Sequence, residues 1–251
     1  MSLDPRRAAL WQAMGLGPQW VRRQPVQAAA PAAEVALPEQ APAAEPAAQG
    51  ERQAAVAAMD WAQLQAAVAG CMACGLCRSR TNTVFGVGSR SAPWMIVGEA
   101  PGAEEDARGE PFVGQAGRLL DNMLAAIGRS RQEGASRPVY IANVLKCRPP
   151  GNRNPQPDEV ASCEPFLLRQ IELLQPQLLL VLGRFAAQSV LHTEAPISAL
   201  RGRVHRLRVR GRELPAIVSY HPAYLLRNLA DKSKSWADLC LALEVGRGEA
   251  K

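Results

Sequence analysis

The chain has 251 residues, a formal net charge of +6 and 47% hydrophobic residues, a figure that alanine inflates. That length fits one large domain, or one medium domain with a tail. No apolar run approaches the roughly 20 residues a membrane span needs, and MSLDPRRAALWQAMG lacks the apolar core of a secretory signal. A cytoplasmic protein without membrane contact is expected, and its charge, carried almost wholly by arginine, suits a polyanionic partner.

Residues 1–24 contain Leu10, Trp11, Met14 and Leu16 at spacings that give a short amphipathic face. Such a face is either a frayed tail or a segment that folds against a partner protein. Residues 25–58 are dominated by Ala, Pro, Glu and Gln. They read as a disordered linker, because the stretch buries too little to offset its ordering entropy. The folded domain is expected over 59–251.

From there the pattern alternates. APWMIVGEA, PVYIANVL, PQLLLVLG and LPAIVSYH are short apolar runs punctuated by small residues, as suits a parallel sheet covered on both faces. Between them AGRLLDNMLAAIG, PDEVASCEPFLLRQIELL and RFAAQSVLH read as helices, the second with an acidic first turn. HRLRVRGR alternates and ends in Arg-Gly, so a small hairpin is expected before the last strand. The predicted architecture is a three-layer α/β/α sandwich around a mainly parallel four-stranded sheet. In open sheets of this kind ligands bind at the carboxyl ends of the strands. There the sequence places GEAPG, then Asn143 with Cys147, then YHPAYLLR. Gly86-Val87-Gly88 precedes a strand instead of following one, so it is no dinucleotide fingerprint.

There are six cysteines. In a reducing compartment they point to metal binding or chemistry before disulfides. Cys71 and Cys74 form a CxxC pair with Cys77 close behind, and Cys147 and Cys163 flank a polar loop of fifteen residues. Four converging thiolates suit zinc or an iron–sulfur cluster, although so long a second spacing is unusual for zinc. Cys77 and Cys240 read as unrelated thiols.

GEAPGAEEDARGEPFVGQAGRLLDNML, then NVLKCRPPGNRNPQPDE, then HPAYLLR, with the CxxC upstream, resemble the family 4 uracil-DNA glycosylases. The resemblance runs from about Cys71 to Arg227. It implies the α/β/α sandwich reached above, a [4Fe–4S] cluster on Cys71, Cys74, Cys147 and Cys163, and action as a monomer on uracil-containing DNA, starting base excision repair. A cluster tied at both ends of the polar loop would act as a staple, leaving Arg148, Asn152, Arg153 and Asn154 facing DNA.

Such an enzyme must take its base out of the stack before cleaving the glycosidic bond. Phe112 is the expected platform for the base; glycine and polar neighbours favour a pocket lip over a core position. Asn143 can donate and accept at once, matching uracil O4 and N3–H and opposing cytosine. Gly98 and Ala100 complete the uracil-binding loop. His221 is expected to stabilise charge developing on uracil O2. Glu99 is the other expected catalytic residue. In related glycosylases with GQDPY an Asp positions the attacking water; the matching residue here is Ala100, and Glu99 falls where the Gln sits. A dissociative transition state tolerates that departure. Gly114, Gly117 and Arg118 open a helix suited to a phosphate. Leu225 and Leu226, with Arg227, are the expected wedge and clamp. The competing reading is a non-catalytic uracil- or DNA-binding protein on the same fold.

Overall fold

The computed structural model describes residues 46–132 and 134–247. Six strands form one sheet: β1 (Val87–Gly88), β2 (Trp94–Gly98), β3 (Val139–Asn143), β4 (Leu178–Leu182), β5 (Val204–Val209) and β6 (Arg212–Ser219). Their order is β1-β3-β2-β4-β6-β5. The four apolar runs supply β2, β3, β4 and β6, which pair in parallel. β1 and β5 add antiparallel edges. The sheet is thus wider than the four strands expected. β1 is only two residues long and carries no periodic signal. The expected hairpin exists, but its second arm is β6 itself, joined through Arg210 and Gly211 with φ of 46° and 81°, both left-handed as a tight hairpin turn requires.

Among the described residues the α-helices are α1 (Pro46–Ala58), α2 (Trp61–Ala69), α3 (Ala103–Arg108), α4 (Gln115–Ala126), α5 (Pro157–Leu174), α6 (Arg184–Leu191), α7 (Ile197–Leu200), α8 (Pro222–Arg227) and α9 (Lys232–Gly246). Every residue of β2, β3 and β4 is buried, and alternate side chains enter two separate cores. Met95, Val97, Ala142, Leu179 and Val181 meet Leu167 and Ile171 of α5 and Val190 of α6. Trp94, Ile96, Ile141, Leu180 and Ile217 meet Leu120 and Leu124 of α4 and Leu239 of α9. That is the three-layer sandwich.

The linker expected to reach residue 58 is helical from Pro46. Alanine is the best helix former, and α1 also has something to bury. Val56 packs with Leu64, Val68, Phe85 and Phe166, and Arg52 donates to Ser162 O at 2.6 Å with its guanidinium 4.9 Å from the Phe166 ring centroid. Residues 1–45, with the amphipathic segment at Leu10, Trp11 and Met14, lie outside the described residues. α2 begins with a reciprocal cap between Asp60 and Gln63.

Gly98 pairs with Asn143 and Leu182 with Ser219, so the parallel strands end level and release their loops at one edge. β2 has β3 on one side and β4 on the other. The chain therefore reverses its direction of winding at β2, which opens a crevice there.

Candidate active site

The crevice is a cleft of about 660 Å³ bordered by Glu99, Phe112, Asn143, Arg153, His221 and Arg227. Residues far apart in sequence thus meet, as expected of them; Ala100 lines the cleft too. Gly98 lies beneath it. A Cβ there would come within 2.3 Å of Asn143 Oδ1 and 2.7 Å of the Phe112 ring, so only a glycine lets those two groups close over the strand end.

Phe112 has φ 56°, an uncommon and costly conformation for an aromatic residue. The surroundings enforce it. Arg131 donates to Pro111 O at 2.8 Å and Phe112 O at 3.1 Å, and is itself fixed by Asp121. Gly117, in the first turn of α4, lets the Phe112 carbonyl lie where a Cβ would sit only 1.7 Å away. Gly117 therefore serves the platform loop and does not line the cleft. Asn143 ends β3 and is 2% exposed, and its Oδ1 is buried without a partner among the described residues. Buried amide oxygens are nearly always satisfied; one left open beside an aromatic ring at a cleft is an acceptor waiting for a ligand.

His221 caps α8: its Nδ1 accepts from the Ala223 N–H at 3.1 Å. That bond assigns the ring proton to Nε2. Burial pulls its pKa down to about 4; Glu105 opposes this and Arg227 adds to it. At neutral pH the ring is therefore neutral, with a fixed tautomer and Nε2–H as its donor. Its face stacks on Phe112 with centroids 5.4 Å apart. Glu99 is pushed up to about 7 by burial, with Arg184 pulling it back. It is thus poised to gain or lose a proton near neutrality. Its carbonyl accepts from Leu145 N–H at 3.0 Å, tying the loop after β2 to the β3 exit.

The residues expected to meet DNA are divided. α4 opens at the cleft, with Ala116 on its wall and Arg118 exposed; Gly114 N–H leans on Glu105 Oε1. Arg227 is exposed at the rim. Arg153 lines the cleft but forks onto Glu159 of α5, which holds that carboxylate below its ordinary range despite burial. Arg148 lies outside the cleft lining and donates to Asn152 Oδ1 at 2.7 Å, bracing the loop from within. Leu225 is a correction. At 1% exposure it is core, because the first turn of α8 packs inward. The apolar tips in this region are Leu226 of α8 at 39% and Leu229 just after it at 63%, with Tyr224 Oη donating to Asp231 at 2.6 Å to tie the helix to the following turn.

Cys71, Cys74, Cys147 and Cys163 border one tight gap beside the β3 exit, with only about 10 Å³ open on the measure that gives the cleft 660 Å³. Cys77, read from sequence as unrelated, borders it too; Cys240 lies on α9, away from it. All six thiols are free of disulfides. Three N–H groups aim at the sulfurs: Lys146 N at Cys163 (3.2 Å), Arg80 Nη1 at Cys147 (3.2 Å) and Arg52 Nη2 at Cys71 (3.8 Å). Thiols with cationic and amide donors directed at them suit an anionic group held through thiolates. Among the described residues no group of three Cys, His, Asp or Glu side chains is arranged to hold a metal ion.

Sequence reasoning missed Glu105. Its carboxylate accepts from Gly102, Val113 and Gly114 N–H and so joins the loop after β2 to the platform loop. Its signal was the acidic run Glu104-Glu105-Asp106 behind GEAPG. Arg184 and Tyr220 also line the cleft. Tyr220 is stacked on Tyr224 at 4.8 Å, and only its place beside His221 hinted at it.

Residues 85–241 match the Uracil DNA glycosylase superfamily. The chain is 47% identical over 160 residues to the type-4 uracil-DNA glycosylase of Archaeoglobus fulgidus, covering 62% of this chain and 78% of that one. It is 41% identical to the type-4 uracil-DNA glycosylase of Thermotoga maritima, over 64% of this chain and 81% of that one. It is 37% identical to that of Pyrobaculum aerophilum, over 73% and 93%.

Proposed function

The chain belongs to the uracil-DNA glycosylase superfamily, among its type-4 members, and from that membership we infer that its cleft removes uracil from DNA and so begins base excision repair. The observation that carries this reading is Asn143 Oδ1, buried and unpartnered beside Phe112, with the fixed Nε2–H donor of His221 in the same cleft. Asn143 reads the base edge, accepting from N3–H and donating to O4. The C1′–N1 bond then breaks with its electron pair going to the base, leaving an oxocarbenium sugar and a uracil anion. Charge gathers on uracil O2, where a preorganised donor is worth most. A neutral His221 gives a hydrogen bond without giving up its proton. Water adds to C1′, and its proton passes to Glu99 or to solvent. An ionised Glu99 serves to orient that water and offset the sugar's positive charge.

Cys71, Cys74, Cys147 and Cys163 are the proposed holders of a [4Fe–4S] cluster. When bound, such a cluster supplies iron–thiolate bonds that pin the polar loop to the β3 exit and the CxxC turn. The loop's own residues then do the positioning, with Arg153 and Asn154 at the cleft wall. The DNA-facing set is Gly114, Arg118, Arg153, Arg227 and the tips Leu226 and Leu229. A cytoplasmic monomer is the proposed form; no described helix is long and apolar enough to cross a membrane. Residues 1–24, with Leu10, Trp11 and Met14, are the proposed partner-docking element.

The test is incubation of the purified chain with an oligonucleotide carrying one uracil, followed by alkali. Cleavage at that position only supports the reading. Tight binding of the oligonucleotide without any alkali-labile product would favour a non-catalytic binding protein instead.

A further inference from the structure

Lys146 is the only buried lysine or arginine among the described residues, at 1% exposure. Burying an ammonium costs several kcal/mol unless good partners meet it. Apolar side chains around Leu145 and Phe166 would fill the same space without that cost, so the partners deserve naming. Nζ donates to Asn143 O at 2.7 Å and to Gln170 Oε1 at 2.6 Å. Gln170 in turn donates to Phe85 O at 2.9 Å and to Tyr140 Oη at 3.3 Å, so it cannot swing away. The Lys146 backbone is held on both sides as well: its N–H points at Cys163 Sγ at 3.2 Å, and its carbonyl accepts from Val84 N–H at 2.8 Å.

One residue thus joins two sites. The strand pairing beyond β3 runs through Val144 N–H to Gly98 O and Leu145 N–H to Glu99 O. The Asn143 carbonyl is caught by Lys146 Nζ. That bond restrains the peptide plane after Asn143, and so the backbone from which the Asn143 side chain projects; its Oδ1 is unpartnered among the described residues. Among the described residues no other group holds the Asn143 amide oxygen in place, so its aim depends on its backbone.

We propose that Lys146 is a positioning residue for base recognition, a strut that carries the rigidity of the thiol set to the Asn143 peptide and so sets how sharply the cleft reads the base. The proposal rests on the uracil-excision reading above. It makes Lys146 act through Asn143 and not on the substrate. It also makes base recognition respond to the thiol set without any movement of the cleft's other walls.

The experiment is a double-mutant cycle between Lys146→Met and Asn143→Ala, with three readouts: single-turnover excision, affinity for free uracil, and visible absorbance of the purified protein. In the otherwise unchanged chain, Lys146→Met should lower excision and uracil affinity by about 10–100-fold, a typical coupling for residues sharing a network. In the Asn143→Ala background the same change should cost no more than about threefold, because the strut has nothing left to aim. Absorbance per mole should persist in both. Gln170→Met, which frees the ammonium without deleting it, should show a smaller loss with the same dependence on Asn143, and decides the matter if Lys146→Met does not fold. Equal losses in both backgrounds would overturn the proposal. So would bleaching of Lys146→Met with normal uracil affinity, which would make Lys146 a thiol-site residue only. If the unsubstituted chain excised no uracil, the functional reading would fall and this inference with it; excision with additive losses would sink the inference alone.

Discussion

The His221 ring lies against the Phe112 ring, planes 26° apart and centroids 5.4 Å apart, while its Nδ1 is engaged by Ala223 N–H. Ring orientation and tautomer are therefore both set before any substrate arrives. Preorganisation of this kind makes a neutral donor effective, because no reorganisation is needed as charge develops.

His221→Ala should slow single-turnover excision by about 10²–10³, the usual cost of losing one such donor, with DNA affinity little changed. Because burial pulls His221 to about 4, the pH–rate profile should carry no limb near the ordinary histidine value. Rates measured from pH 5 to 9 check this; a His221-dependent limb near 6.5 would contradict a neutral ring.

Glu99 should supply a limb instead. Burial pushes it up to about 7, so its ionised fraction grows as pH rises through that value, and excision should rise with it. Glu99→Gln should flatten the limb and lower the plateau by about 10–10³. The stability effect has the opposite sense. The folded state favours the protonated carboxyl, so that contribution is full below the ordinary glutamate range and is lost as pH climbs through about 7. Thermal unfolding of wild type and Glu99→Gln across that window tests the sign.

Gly117→Ala reverses a general rule. In a helix interior the exchange normally gains about 0.5–1 kcal/mol. Here the new Cβ would meet the Phe112 carbonyl at 1.7 Å, and that carbonyl is pinned by Arg131. The variant should unfold at lower temperature and lose excision, since the platform must shift to admit the methyl group. A stabilised, fully active variant would show that the loop yields freely.

The thiols should separate by substitution. Cys163→Ala, or the same change at Cys71, Cys74 or Cys147, should abolish visible absorbance and iron content and lower the melting temperature. Cys77→Ala should leave both in place. Iron analysis of the five purified variants decides it, and stoichiometric zinc in a colourless, active wild type would refute the cluster.

Two truncations should differ. Removing residues 1–45 should leave excision on a short oligonucleotide unchanged. Removing residues 1–58 also deletes Val56 and Arg52, uncovering Phe166 and the Cys71 sulfur. That chain should melt lower and lose absorbance faster in air.

Continuous apolar runs placed β2, β3, β4 and β6 and hence the cleft edge, because a strand buried on both faces must read that way. Glu99, Phe112, Asn143 and His221 follow strands or their loops, so topology alone brought them to one edge. Leu225 misled because a wedge and a core leucine look alike in sequence; only the inward roll of α8 tells them apart. α1 misled because alanine richness serves both a disordered tract and a good helix, and Arg52 and Val56 needed α5 before they meant anything. Glu105 and Lys146 stayed silent because their roles lie wholly in what they touch. A buried lysine beside a cysteine has no periodic mark, and a loop-tying carboxylate looks like any acidic first turn.

The fork of Arg153 onto Glu159 bears on how the enzyme travels along DNA. On the proposed DNA-facing role, a guanidinium already neutralised by its own protein would release few counterions when a phosphate approaches, so Arg153 would add little to the salt-dependent attraction that all DNA offers alike. The cleft wall can then press against the duplex without gripping it, and residence at any one position is left to whether a base enters the pocket. Search would then be kept loose and commitment made by chemistry, a division that a free arginine at the same place would blur.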